Sequence, residues 1–230
     1  MFIREGVDAA VYEVGMGGEF DSTNIVEQPT VTGISSLGID HTDALGKTIE
    51  EIAWHKAGIQ KEGVPSFTVT QPAGAMKYIV DKSEERHVKS LTVIEEDERL
   101  SGVMIRPNLR FQTRNASLAI ALAETLLKKL DPNFRIPSRS LRKDFKEGLE
   151  KVVWRGRCEK KVEGNITWYL DGAHTAESIS AVTAWHGNEC ADKYVLSAAP
   201  CLRIHLIMPQ TGNKGSHIQS TRSPRSDATS

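Results

Sequence analysis

The hydrophobic positions of this chain fall into short apolar runs alternating with longer segments of helical period. Residues 9–14 form a mostly apolar run ending at a glycine cluster, Gly15-Met16-Gly17-Gly18, the pattern of a buried strand closed by a turn. Residues 30–37, rich in β-branched side chains, predict a second strand. A helix follows: Thr48 and Glu51 have the spacing of a capping box, Ile49, Ile52, Ala53 and Ala57 recur on one face, and Gly58 marks the stop. Residues 66–70 and 91–95 predict further strands. Residues 115–130 predict a long helix, with Leu118, Leu122 and Leu126 along one stripe and Asp131-Pro132 beyond its end. Ser138 is the expected cap of another helix, in which Leu141, Phe145 and Leu149 recur every four residues.

Strands apolar on both faces and separated by helices predict an α/β fold with a largely parallel sheet and flanking helices. The pattern changes near residues 153–156, where a domain boundary is expected. Residues 158–162 and 166–170 flank Glu163-Gly164-Asn165 and read as a hairpin; a loop over 171–175 then opens a short helix to about Trp185. The expected organisation is 1–154, 155–190 and an atypical tail over 191–230. That tail carries five Lys/Arg against two Asp/Glu and many Ser and Thr; only 201–208 has strand character, and the remainder reads as disordered.

Composition narrows the function classes. The formal net charge of −1 gives no global field for nucleic acid or an anionic membrane. No apolar run approaches the roughly 18 residues that span a bilayer, and the N-terminal residues carry no targeting pattern. Cys158, Cys190 and Cys201 match neither a disulfide framework nor a zinc motif, which agrees with a reducing compartment.

Candidate chemistry gathers where strands are expected to give way to turns, since ligands of parallel α/β sheets collect at the carboxyl ends of strands. Glu13 stands one residue from the end of the first expected strand, and His41 lies just past the second. A carboxylate and an imidazole on one rim form part of a divalent-cation shell; Glu13 reads equally as a solvated carboxylate, and Asp40 or His41 as a cap of the next turn. Lys56 in a last helical turn complements the helix dipole. Its neighbours Trp54, Ala57 and Ile59 are apolar, a setting that lowers an amine's pKa and favours neutral-amine chemistry. Asp171-Gly172-Ala173-His174-Thr175 forms a strand-to-helix turn, able to orient a ribose or a phosphate or to serve only as a turn, with Arg155 and Arg157 close by in sequence. Gly212-Asn213-Lys214-Gly215-Ser216 lacks the order and the following helix of a phosphate loop.

Taken together, the motifs resemble one family. Tyr12-Glu13-Val14-Gly15-Met16-Gly17-Gly18 with Asp21-Ser22-Thr23-Asn24 is similar to the first conserved block of the folylpolyglutamate synthases, ATP-dependent ligases of the Mur-ligase superfamily. Ser36-Leu37-Gly38-Ile39-Asp40-His41, Ile52-Ala53-Trp54-His55-Lys56-Ala57-Gly58-Ile59, Gln112-Thr113-Arg114-Asn115-Ala116, Trp154-Arg155-Gly156-Arg157-Cys158-Glu159 and Leu170-Asp171-Gly172-Ala173-His174-Thr175 resemble the later blocks, in order. Phe111 stands where the fourth block usually has histidine. The wording around Lys56 is that of eukaryotic, fungal-type members.

The resemblance implies a Mur-ligase-type ATPase domain followed by the start of a smaller Rossmann-like domain. It implies ligation of L-glutamate to the γ-carboxylate of a (tetrahydro)folate, using ATP and Mg2+, through an acyl phosphate. Carried over by motif, Glu13 and His41 would hold the metal with Lys56 as a carbamylated lysine. Gln112, Asn115, Arg157, Asp171 and His174 would contact the nucleotide, with Lys56 and His174 as the catalytic pair. A monomer in cytoplasm or mitochondrion, with no nucleic-acid partner, is the expected setting. The family's phosphate loop does not occur in these residues and the likeness fades near 185–189. The accompanying expectation is a truncated gene model or splice product, inactive alone. Dihydrofolate synthase, which shares these blocks, and a non-catalytic binding fragment remain the alternatives.

Overall fold

The computed structural model describes residues 2–164, 166–173 and 175–191. The elements run α1 (Phe2–Glu5), β1 (Thr32–Ile34), α2 (Thr42–Leu45), α3 (Ile49–Ala57), β2 (Pro65–Val69), α4 (Ala73–Glu85), β3 (Ser90–Ile94), α5 (Arg110–Leu130), α6 (Lys143–Lys151), β4 (Glu159–Glu163), β5 (Ile166–Leu170) and α7 (Ala176–Ala191). The chain divides into two compact units between Val152 and Val153.

In the first unit β1, β2 and β3 form a parallel sheet in that order, with Thr32 opposite Ser66 and Ser66 opposite Leu91. Parallel neighbours require crossovers, and α3 and α4 supply them. Side chains alternate across a strand. Ile34 therefore packs with Ala57 of α3 and Ile79 of α4 on one face, supported by Leu37, Ile59 and Leu91. Gly33 turns to the other face, where an added Cβ would sit 2.8 Å from Leu122 of α5. Helices cover both faces, as the α/β reading predicts. A second cluster, Leu100, Ala116 and Ile120, takes up Leu141, Phe145 and Leu149 of the α6 region.

Helix α3 forms as its sequence predicts. The Thr48 hydroxyl accepts from the Glu51 N–H at 3.2 Å, and the Glu51 carboxylate accepts from the Thr48 N–H at 3.0 Å. Gly58 ends it for a different reason than the one expected. Its φ is −61°, which any residue adopts; the constraint is that a Cβ there would lie 2.5 Å from the Cα of Glu19.

The expected strand over 9–14 is absent, and Val11 is 89% exposed. An apolar run becomes a strand only where a neighbour supplies ladder partners, and among the described strands none pairs with it. The second strand is shorter than expected because the Gln71 side chain takes over beyond Ile34. Its Oε1 accepts from Leu37 N at 2.9 Å and its Nε2 donates to Ser35 O at 2.8 Å. Helix α5 begins at Arg110, five residues before the expected start, with no side-chain cap to announce it. Ser138 caps nothing; Arg142 precedes α6 and pairs with Asp144. Helix α4 was not expected, because Lys82 and Ser83 occupy buried positions where the pattern calls for apolar residues.

In the second unit β4 and β5 form the expected antiparallel hairpin, with Glu159 opposite Leu170. Helix α7 then runs past Trp185 to Ala191. The expected tail from 192 onward, including the strand over 201–208 and Cys201, lies outside the described residues, as do Asn165 and His174. Among the described residues no helix is long and apolar enough to cross a membrane.

Candidate active site

The glycine cluster folds as a turn organised by Asp21. The Asp21 carboxylate accepts from the N–H groups of Gly15 (3.1 Å), Met16 (2.9 Å) and Thr23 (2.9 Å) and from the Thr23 hydroxyl (2.6 Å). These donors, the Thr23 hydroxyl first, hold its pKa down at about 2. The Gly15 and Met16 N–H groups are thereby engaged within the chain. The turn packs tightly on α3: a Cβ on Gly18 would lie 2.7 Å from His55 O and 3.1 Å from Lys56 O. Gly17 has φ +67° and faces Leu45. Glu19 N–H donates to His55 O at 2.8 Å, and Asn24 Nδ2 donates to Glu19 O (2.9 Å) and Gly58 O (3.2 Å).

Asp40 and His41 lie beyond the Gln71-held segment, ahead of α2. His41 is in the left-handed region, φ 52°, which is uncommon for a residue with a Cβ. Its side chain caps nothing; its carbonyl accepts from Ala44 and Leu45 N–H at 2.9 Å. Asp40 Oδ1 accepts from His41 N–H at 2.7 Å, and Oδ2 stands 3.6 Å from His41 Nε2.

Lys56 is half-buried in the last turn of α3, among the apolar neighbours the sequence indicates. Burial pushes its pKa below the ordinary lysine value, and the charge of Asp40 opposes the shift. Asp40 is therefore within charge range of Lys56 and, separately, next to the His41 imidazole. Reading the sequence residue by residue left Asp40 as a mere cap.

Glu13 is exposed, in the irregular segment ahead of the turn, and not at the rim of a sheet as expected. Among the described residues no ion pair joins Glu13 to His41 or Lys56, and no three His, Cys, Asp or Glu side chains group as a metal centre. The donor types on offer are the Glu13 carboxylate and the His41 imidazole, both exposed. A single carboxylate suits Mg2+, which keeps several waters, whereas an imidazole is the less usual ligand for it. A cleft of ≈ 270 Å³ is lined by Ala44, Leu45, Gly46, Glu51, Trp54, His55 and Tyr78, none of them a site residue expected from the sequence.

Gln112 and Asn115 lie in the first turns of α5, and Asn115 Nδ2 donates to Gln112 Oε1 at 3.3 Å. Phe111 beside them is 40% exposed. In the second unit Asp171 serves the turn: Oδ2 accepts from Cys158 N–H at 2.5 Å and Oδ1 from Ala173 N–H at 2.7 Å. Burial first, and then Asp171, pushes the Cys158 thiol up to about 12, which leaves it unreactive as a nucleophile. The exposed Arg157 guanidinium lies against Gly172, whose missing Cβ makes room for it.

No family model matches the chain. It is 53% identical over 193 residues to the folylpolyglutamate synthase of Neurospora crassa, across 84% of this chain and 36% of that protein. It is 44% identical over 189 residues to the folylpolyglutamate synthase of Saccharomyces cerevisiae, across 80% and 34%. The chain belongs to the folylpolyglutamate synthase family. It spans about a third of the length of these relatives, and the likeness is of the fungal type. Its fold superposes on a solved structure described as an FPGS–AMPPCP–folate complex with a TM-score of 0.70 and 28% identity, over 82% of this chain and 49% of that one. The parallel sheet with flanking helices is thus of the Mur-ligase type.

Proposed function

We propose that the protein is an ATP-dependent ligase that adds L-glutamate to the γ-carboxylate of a (tetrahydro)folate through an acyl phosphate. The observation that carries this reading is the 53% identity to a folylpolyglutamate synthase across 84% of the chain. The likeness to a structure holding an ATP analogue and folate supports the nucleotide and the folate as substrates. In the proposed reaction the folate γ-carboxylate oxygen attacks the γ-phosphorus of ATP and ADP leaves. The glutamate amine then attacks the acyl carbon, and phosphate departs from the tetrahedral intermediate with loss of the amine's proton. Positioning and charge stabilisation carry such transfers.

The proposed roles follow from chemistry at each position. Mg2+, held by Glu13 and His41, would neutralise charge on the transferring phosphoryl group. Lys56, with its depressed pKa, presents more neutral amine at pH 7 than an ordinary lysine and so favours carbamate formation, in which the amine adds CO2 and releases a proton. Asp40 Oδ2, 3.6 Å from His41 Nε2, would add a second carboxylate near that ligand. Gln112, Asn115, Arg157, Asp171 and His174 are proposed nucleotide contacts, and Lys56 and His174 are the proposed catalytic residues. Because Gly15 and Met16 already donate to Asp21, the glycine turn's part is close packing on α3. Incubating the intact protein with tetrahydrofolate, labelled glutamate, ATP and Mg2+ tests the reading. ATP-dependent glutamate incorporation is expected; incorporation only with dihydropteroate, or none, would count against it.

A further inference from the structure

Helix α4 carries one cation, Lys82, into the interior of the first unit, and a second, the partly buried Arg86, follows at its C-terminal cap. Lys82 is 4% exposed. Its Nζ lies 3.6 Å from Glu19 Oε2, 3.1 Å from Glu85 Oε1 and 4.7 Å from the centre of the Trp54 ring on α3. Arg86 Nη2 meets Glu19 Oε1 at 2.5 Å. Glu19 directly follows Gly18, and its backbone is already tied to α3 through His55 O. Its side chain passes over Gly58, where a Cβ would strike it.

Desolvating the Lys82 ammonium and the Glu19 carboxylate is costly, and apolar side chains of similar volume commonly stabilise as well or better. Stability alone therefore does not account for this cluster. What charged groups add is direction: the carboxylate of Glu19 has a favourable position only between Lys82 and Arg86. That position sets where the glycine turn sits, and the turn lies against the carbonyls of His55 and Lys56. Lys82 also stacks on Trp54, two residues before Lys56, so one ammonium grips both the turn and the helix that carries the candidate lysine.

We infer that Lys82 and Arg86 are positioning residues, which clamp Glu19 and thereby fix the glycine turn relative to Lys56. The functional consequence rests on the ligase reading, while the clamp has its own readout. Hydrogen exchange followed by mass spectrometry is compared for the intact protein, Lys82→Met and Glu19→Gln. In both variants the amides of residues 15–24 are expected to exchange about tenfold faster or more, with those of β2 and α5 unchanged, as for a local opening. In the ligation assay Lys82→Met is expected to lower kcat by about tenfold with KM for glutamate within about twofold, the pattern of a misplaced reacting group. An even rise in exchange across the unit, or none at 15–24, overturns the clamp. Local opening with an unchanged kcat overturns its positioning role. Local opening in a protein whose unmutated form ligates nothing leaves the clamp standing and overturns the ligase reading instead.

Discussion

Gly18→Ala probes the contact on which the site geometry depends. The added methyl would meet His55 O at 2.7 Å, Ile59 Cγ2 at 2.9 Å and Lys56 O at 3.1 Å. Two of these are carbonyls of a helix and cannot swing aside, so the turn itself must move outward by several tenths of an ångström. Overpacking of this kind costs about 1–3 kcal/mol, or roughly 2–4 °C in melting temperature per kcal/mol for a chain of this size. Gly148 provides an internal control of opposite sign. It lies within α6 with nothing within 4 Å of its ideal Cβ, so Gly148→Ala should stabilise by about 0.5–1 kcal/mol through helix propensity. Urea unfolding followed by circular dichroism gives both shifts in one experiment. A neutral or stabilising Gly18→Ala beside a stabilising Gly148→Ala would refute the close approach of turn and helix.

Three further outcomes are expected. Thr48→Ala removes the hydroxyl that accepts from Glu51 N–H and should cost about 1 kcal/mol in denaturant unfolding; a midpoint unchanged within error would show that the capping box contributes nothing. The Asp21 pKa is depressed to about 2 from 3.8, so the stabilisation linked to its ionisation is full above the ordinary value and is lost as pH falls toward 2. The unmutated protein should accordingly lose stability between pH 4 and 2 more steeply than Asp21→Asn, whereas parallel curves would contradict the hydrogen-bonded carboxylate. Lys56 is shifted down by burial, whereas exposed Lys77 is shifted up by Asp81. Amine acylation mapped by mass spectrometry across pH should show half-labelling of Lys56 at lower pH than Lys77, and the reverse order would contradict the assignment.

Much of the fold was legible where its determinants are local. The capping box of α3 lies within four residues, and the hairpin of β4 and β5 is marked by Glu163-Gly164-Asn165 between two runs of strand character. The strands over 65–69 and 90–94 were within one residue of expectation. Failures occurred where the determinant lies elsewhere in the chain. Residues 9–14 have strand composition but lack a ladder partner among the described strands, so Glu13 does not end a buried strand. Helix α4 was hidden because Lys82 occupies an apolar position, and its partner Glu19 is 63 residues away in sequence. Gly58 was correctly placed at a helix end, yet its necessity comes from Glu19 and not from a left-handed conformation. The apolar setting of Lys56 could be read directly from its neighbours; the influence of Asp40 required the fold to bring residues 40 and 56 together.

The proposed ligation of glutamate to folate depends on Lys56, half-buried and within the field of the Asp40 charge. It is tested most directly by comparing ATP-dependent glutamate incorporation into tetrahydrofolate by the intact protein and by Lys56→Ala, with circular dichroism confirming that both are folded. Losing one preorganised charge-stabilising group typically costs about 10²–10³-fold in kcat, and a fall of that order is predicted. A folded Lys56→Ala variant that incorporates glutamate at the full rate would contradict the account.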